Sequence, residues 1–185
     1  GSDCYGAARA QRIWDRLGER RDLTGADLAA ICGDTVNPAG VRAVELVEHP
    51  VLAGWDGRMD VDQPAAALYA AARHQLVRLV VARLPEALRS NPFAPWEPPS
   101  TALPIEQRVD QALDGWLAAG DTLVLADGES WPALWAEALR DAEVELGETL
   151  GADPSAWRWG DRHQVTPLHP LRHALGEQVR PTTGP

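Results

Sequence analysis

Apolar residues recur at three- and four-residue intervals along almost the whole chain, and the alternating runs of half-buried strands are nearly absent. That period predicts an all-α protein, a bundle of about six helices. The first runs from Tyr5 to about Arg21, with Ala8, Ile13, Trp14 and Leu17 offered to a buried side. A second begins after Thr24, whose side chain can cap it with Asp27 three residues on, and stops at Gly33. Asn37-Pro38 opens a third that reaches about Glu48, because Asn caps well and Pro loses nothing in a first turn. His49-Pro50 breaks it, and a short apolar turn leads into a glycine-punctuated loop from Trp55 to Asp62. Asp62 is expected to cap the longest helix, Pro64 to about Leu84, whose Leu68, Leu76, Leu79 and Val80 form a stripe; Pro85 kinks or ends it.

The stretch Ser90 to Pro104 carries Pro92, Pro95, Pro98, Pro99 and Pro104, too many for regular structure, and divides the helical piece in two. Beyond it Ile105 to Ala118 and Ser130 to Leu150 read as helices. The second of these carries Trp131, Leu134, Trp135, Leu139, Ala142 and Leu146 on one face, and Gly151 stops it. From Trp159 onward the helical period is lost, and Val165, Leu168 and Leu171 sit among prolines and histidines. The expected organisation is a helical domain over residues 3–158, with its connector at 90–104, and an irregular or extended C-terminal arm over 159–185. There is no internal repeat at a fixed period and no low-complexity tract.

A chain of 185 residues can bury about two-thirds of its unfolded surface, enough for a real core. A net charge of −10 argues against nucleic acid as a partner, since such a face needs clustered basic residues to displace phosphate counterions. No apolar run approaches the ~20 residues of a membrane span, and no cationic start leads into a signal-like segment, so no membrane partner is expected. Every basic side chain is Arg and none is Lys, which reflects codon usage more simply than chemistry. Cys4 and Cys32 are too few for a disulfide framework or a four-cysteine zinc site; one bridge between them, if the first two helices pack closely, stays open. Gly1 and Ser2 look like the remnant of a cloning site and are kept out of the fold.

Candidate chemistry is thin. His163, His169 and His173 crowd into one arm and with Asp161 offer nitrogen and oxygen ligands for a zinc-like ion. His169 and His173 share a face only on a helix, which Pro170 opposes, so packing and hydrogen bonding are the favoured roles. Asp56, Asp60 and Asp62 alternate as in a calcium loop, yet the glycine and the closing Glu of that loop are not in place. His49 stands at a helix break, and His74, within the longest helix, reads as a boundary residue. There is no glycine-flanked serine elbow, phosphate-cradling glycine loop or paired-cysteine motif. Eight Trp at helical spacing are expected in the core.

Three stretches, in order, change this reading. Arg9 to Leu17 (RAQRIWDRL) with Leu23-Thr24 and Gly33-Asp34-Thr35, then Trp55 to Tyr69 (WDGRMDVDQPAAALY), then Trp157 to Leu171 (WRWGDRHQVTPLHPL), together resemble the middle of the large (beta) chain of the penicillin acylase family of N-terminal-nucleophile hydrolases. The likeness covers essentially the whole chain, and the Trp-x-Trp-Gly…His…His-Pro-Leu segment is its most specific part. It implies a parent that cuts itself to expose a serine whose α-amino group is the base, with a backbone amide and an asparagine for the oxyanion. The implied reaction cleaves the amide bond of N-acyl compounds such as penicillins or acylated homoserine lactones, releasing an acid and an amine.

The nucleophile of such an enzyme precedes the region matched here. Ser2 is followed by Asp3 and Cys4 rather than the family's Asn, so this piece is expected to have no catalytic residue and to be inactive alone. Arg9 aligns with a family arginine that lies near the nucleophile and helps order the active site; here it is expected to be an ordinary exposed helix residue, while supporting the site in the parent. The family's calcium ligands lie upstream, so no cofactor is expected in this chain, although calcium is compatible with the parent. His163 and His169 become scaffold residues. Partners implied by the resemblance are the remaining alpha- and beta-chain segments and a small N-acyl substrate, and export to the periplasm or beyond is expected for the parent. The alternative reading is a stand-alone helical protein-interaction module without catalysis.

Overall fold

The computed structural model describes residues 8–18, 20–89 and 104–164. Within them the six expected helices are α1 (Ala8–Gly18), α2 (Gly25–Cys32), α3 (Pro38–Leu46), α4 (Pro64–Arg83), α6 (Ile105–Ala119) and α7 (Trp131–Leu150). Two single-turn helices join them, α5 (Glu86–Arg89) and α8 (Trp159–Arg162), along with 3-10 turns at Pro50–Leu52 and Pro154–Ala156. Strand pairing among the described residues is one antiparallel bridge, Val36 to Arg58.

The starts of these helices follow local chemistry. Thr24 accepts from the Asp27 backbone N–H, and the Asp27 carboxylate accepts from Thr24 N at 2.8 Å, a complete capping box. Asn37 caps α3 through Ala39 N and Gly40 N ahead of Pro38, and Ser130 caps α7 ahead of Pro132. His49 uses the same device for the 3-10 turn, taking the Val51 N–H on Nδ1 at 3.2 Å while Nε2 meets Glu143 at 3.0 Å.

One expected cap is corrected. Asp62 does not cap α4; the N-cap position falls to Gln63, which makes no side-chain cap bond, because it is Gln63 that immediately precedes Pro64. The loss of helical order from Trp159 onward is corrected as well. Trp159 to Arg162 forms one more turn, held by His163 N on the Trp159 carbonyl at 2.9 Å and by Arg162 on Glu145 at 2.6 Å. Most of the expected arm and connector, residues 165–185 and 90–103, lies outside the described residues, as do Cys4, His169 and His173.

The core is the α4–α7 pair. Side chains of Ala65, Ala66, Ala67, Ala71 and Ala72 let the first half of α4 be approached from several sides, so it runs through the middle of the bundle rather than along its surface. Its expected stripe holds for Leu68, Leu76 and Val80, with Leu79 half-buried. Every residue expected on the inner face of α7 is buried. Tyr69 lies between two indoles, tilted on Trp55 at 5.2 Å and stacked with Trp135 at 6.1 Å between ring centres. Trp55, Trp131, Trp135 and Trp157 are buried, as expected of core tryptophans.

Trp14 contradicts that rule and the expected inner face of α1: it is 74% exposed. Ile13 and Leu17 of that expected face are half-buried, and Arg9, Arg12 and Arg16 meet the end of α2, which presents carbonyls and a carboxylate. No helix among the described residues is long and apolar enough to cross a membrane.

Candidate functional site

Two open grooves share Thr35, Asn37, Met59, Arg73, Gln107 and Asp110, and so form one cleft between the lead into α3, the middle of α4 and the start of α6. One end, about 460 Å³, reaches Arg9 and Asp34; the other, about 710 Å³, reaches His74, Trp159 and His163. Its floor is Arg73, pointing from α4 into α6. Nε donates to Asp110 at 2.7 Å, one Nη donates to Asp114 at 2.7 Å and the other to the Asp110 carbonyl at 2.9 Å. Burial works against this charge, but Tyr69 and the two carboxylates outweigh it and raise the guanidinium above its ordinary value.

The wall beside α3 is held by the loop from Trp55. Asn37 N donates to Gly57 O at 2.8 Å, Met59 N donates to Thr35 O at 3.2 Å, and the Thr35 hydroxyl donates to Asp60 at 2.7 Å. Gly57 is at φ +83, and a Cβ there would meet the Asn37 carbonyl oxygen at 2.8 Å and a Val41 methyl at 2.7 Å, so only glycine fits. Gly40 similarly leaves room for the Trp55 ring, which a Cβ would approach to 2.8 Å.

At the narrow end, Arg9 is exposed as expected but not ordinary. Its two Nη atoms donate to Asp34 O at 2.6 Å and to Cys32 O at 2.7 Å, the carbonyls where α2 ends. The Asp34 side chain is 6% exposed and receives Arg12 at 2.8 Å and Arg16 at 3.5 Å on one oxygen and the Val36 N–H at 2.9 Å on the other. Burial would raise its pKa; the Val36 N–H, Arg12 and Arg16 together hold it below the ordinary value.

At the wide end, His163 stacks on Trp159 at 4.7 Å, and Asp161 lies exposed on α8. His74 is exposed on α4 rather than at the half-buried boundary expected of it. Beneath α8, Glu145 accepts from Gln75 at 2.8 Å as well as pairing with Arg162; burial opposes its charge and these donors more than offset that, lowering its pKa.

Chemically the cleft holds bonded pairs rather than an assembled reacting set. Among the described residues no hydroxyl or thiol is hydrogen-bonded to a histidine ring: Thr35 is tied to Asp60, Thr24 to Asp27, Ser155 to Asp153 and Thr149 to a carbonyl. No three His, Cys, Asp or Glu among them converge as metal ligands. In the acidic loop Asp56 turns back on Arg58, and Asp60 accepts from the Thr35 hydroxyl. Reading single helices missed both Arg73 and Asp34 as cleft residues. The available signals were a cation placed directly after the buried Ala71-Ala72 pair and one turn beyond Tyr69, and arginines at 9, 12 and 16, which share one helical face.

Comparison with known proteins extends the picture beyond the cleft. A family model described as penicillin amidase matches residues 1–185. The chain is also 32% identical, over 194 aligned positions, to the penicillin acylase 2 proenzyme of Pseudomonas sp. (strain SE83). That alignment covers 92% of this chain but only 22% of the relative.

Proposed function

The chain belongs to the penicillin amidase family, and from that premise we propose that it is a scaffolding helical domain of an amidohydrolase that cleaves N-acyl substrates. The observation that carries this reading is the family match along the full chain, set beside a cleft in which Arg73 is spent on Asp110 and Asp114 and Thr35 on Asp60. In the parent enzyme the nucleophile is a serine exposed by self-cleavage and lying outside this chain. Arg9 supports its site, and the first helices contribute one wall of the substrate cleft. The isolated chain is inactive toward amides. Its partners are the other segments of the same enzyme, and the parent is exported.

Trp14 and, on α2, Leu28 are exposed; in this reading the other segments of the enzyme cover them. Intact-mass analysis with N-terminal sequencing of the protein expressed from its complete gene is the test. Two chains, the larger beginning with serine and containing this segment, are the expected result. A single unprocessed chain of about this length would overturn the enzyme reading.

A further inference from the structure

We propose that Asp34 is the positioning residue that fixes the Arg9 guanidinium at the narrow end of the cleft; the functional half of this inference rests on Arg9 supporting the active site of the parent. Arg9, Arg12 and Arg16 lie three and four residues apart, so they share one face of α1, and all three side chains end on residues 32 to 34. Arg12 reaches the buried carboxylate through two nitrogens, Nε at 3.1 Å and Nη at 2.8 Å, which sets both the rotation and the height of α1 against the end of α2. The second carboxylate oxygen closes the turn on Val36 N, which aims the Asp34 carbonyl.

Arg9 then spans two carbonyls whose directions have already been set, that of Asp34 and that of Cys32 at the end of α2. Both terminal nitrogens are held by these carbonyls, and the side chain lines the narrow end of the cleft. A single carboxylate thus aligns one arginine by holding its two neighbours. A catalytic role does not fall to Asp34 itself, which is enclosed by its own partners.

The test uses the complete enzyme and four forms: wild type, Asp34→Asn, Arg9→Ala and the double variant. Asparagine keeps the size of the side chain and an acceptor for Val36 N, but removes the charge that holds Arg12. Turnover is followed with N-acyl-4-nitroanilides of graded acyl length, and folding by thermal melting. Asp34→Asn is expected to lower kcat/KM about tenfold, mostly through kcat, as a displaced orienting group does. In the Arg9→Ala background it should cost no further activity. Losses that multiply, or a lower Tm with unchanged kcat/KM in the folded enzyme, would overturn the proposal.

Failure of the parental reading is seen separately. If wild-type protein hydrolyses none of the anilides, the amidohydrolase assignment falls, while a crystal structure of the Asp34→Asn complete protein still reads the positioning directly. An Arg9 guanidinium displaced from the carbonyls of Cys32 and Asp34 supports the proposal, and one still seated on them refutes it.

Discussion

Replacing Arg73 with Met isolates what joins α6 to the rest of the bundle. α6 buries only Val109 and Leu113 fully, and Arg73 links it to α4 through three charge-assisted bonds of 2.7 to 2.9 Å. Methionine keeps most of the apolar stem, so the change removes the guanidinium and little packing. Breaking a fully buried pair costs about 3–5 kcal/mol because an uncompensated charge is left behind. Here Arg73 is 17% exposed, but Asp110 and Asp114 are 47% and 29% exposed and can take up water. The expected loss is therefore smaller, about 2–3 kcal/mol, or roughly 5–10 °C in Tm for a chain of this size. Urea denaturation followed by Trp fluorescence measures it, with buried Trp55 and Trp135 flanking Tyr69 one turn before Arg73. Adding Asp110→Asn and Asp114→Asn to Arg73→Met should recover about half the loss, since no charge then lacks a partner. A stability within about 0.5 kcal/mol of wild type for Arg73→Met alone would refute the reasoning.

Three further outcomes follow from the same packing. Gly57→Ala should destabilise by about 3 kcal/mol, combining left-handed strain of ~1–2 kcal/mol with a clash against the Asn37 carbonyl; a thermal melt within about 1 kcal/mol of wild type would show that the loop yields. Glu129, donated to first by Arg83 and then by the Ala126 N–H, has its pKa lowered from 4.5 to about 2. A carboxylate depressed in the folded state adds stability above its unfolded value and loses it as pH falls through its folded value. The gap in urea midpoint between wild type and Glu129→Gln should therefore be constant near pH 7 and narrow between about pH 4.5 and 2; a gap that stays constant to about pH 3 would remove this ion pair from the account. Trp14→Ser should change the stability of the isolated chain by less than about 0.5 kcal/mol, yet weaken recovery of the assembled parent in co-purification. A loss above about 1 kcal/mol in the isolated chain would mean that Trp14 covers the core.

Local sequence was enough for the starts and caps of α2 and α3, the start of α7, and the residues of α7 that face inward. These depend on contacts three or four residues apart, and Thr24 with Asp27 and Asn37 with Pro38 carry them within one turn. The three motifs that resemble the acylase family were legible for a similar reason, being contiguous runs. Which faces meet is settled only by packing between helices. An apolar count on α1 turns Trp14 inward, but its actual neighbour is the end of α2, whose orphan carbonyls and the Asp34 carboxylate bind arginine better than indole. Arg73 finds partners 37 and 41 residues along the chain, across a proline-rich connector, so nothing local announces them. The cleft is legible only after those pairings exist, since it is the space left between α3, α4 and α6 once Arg73 and the Trp55 loop have set their separation.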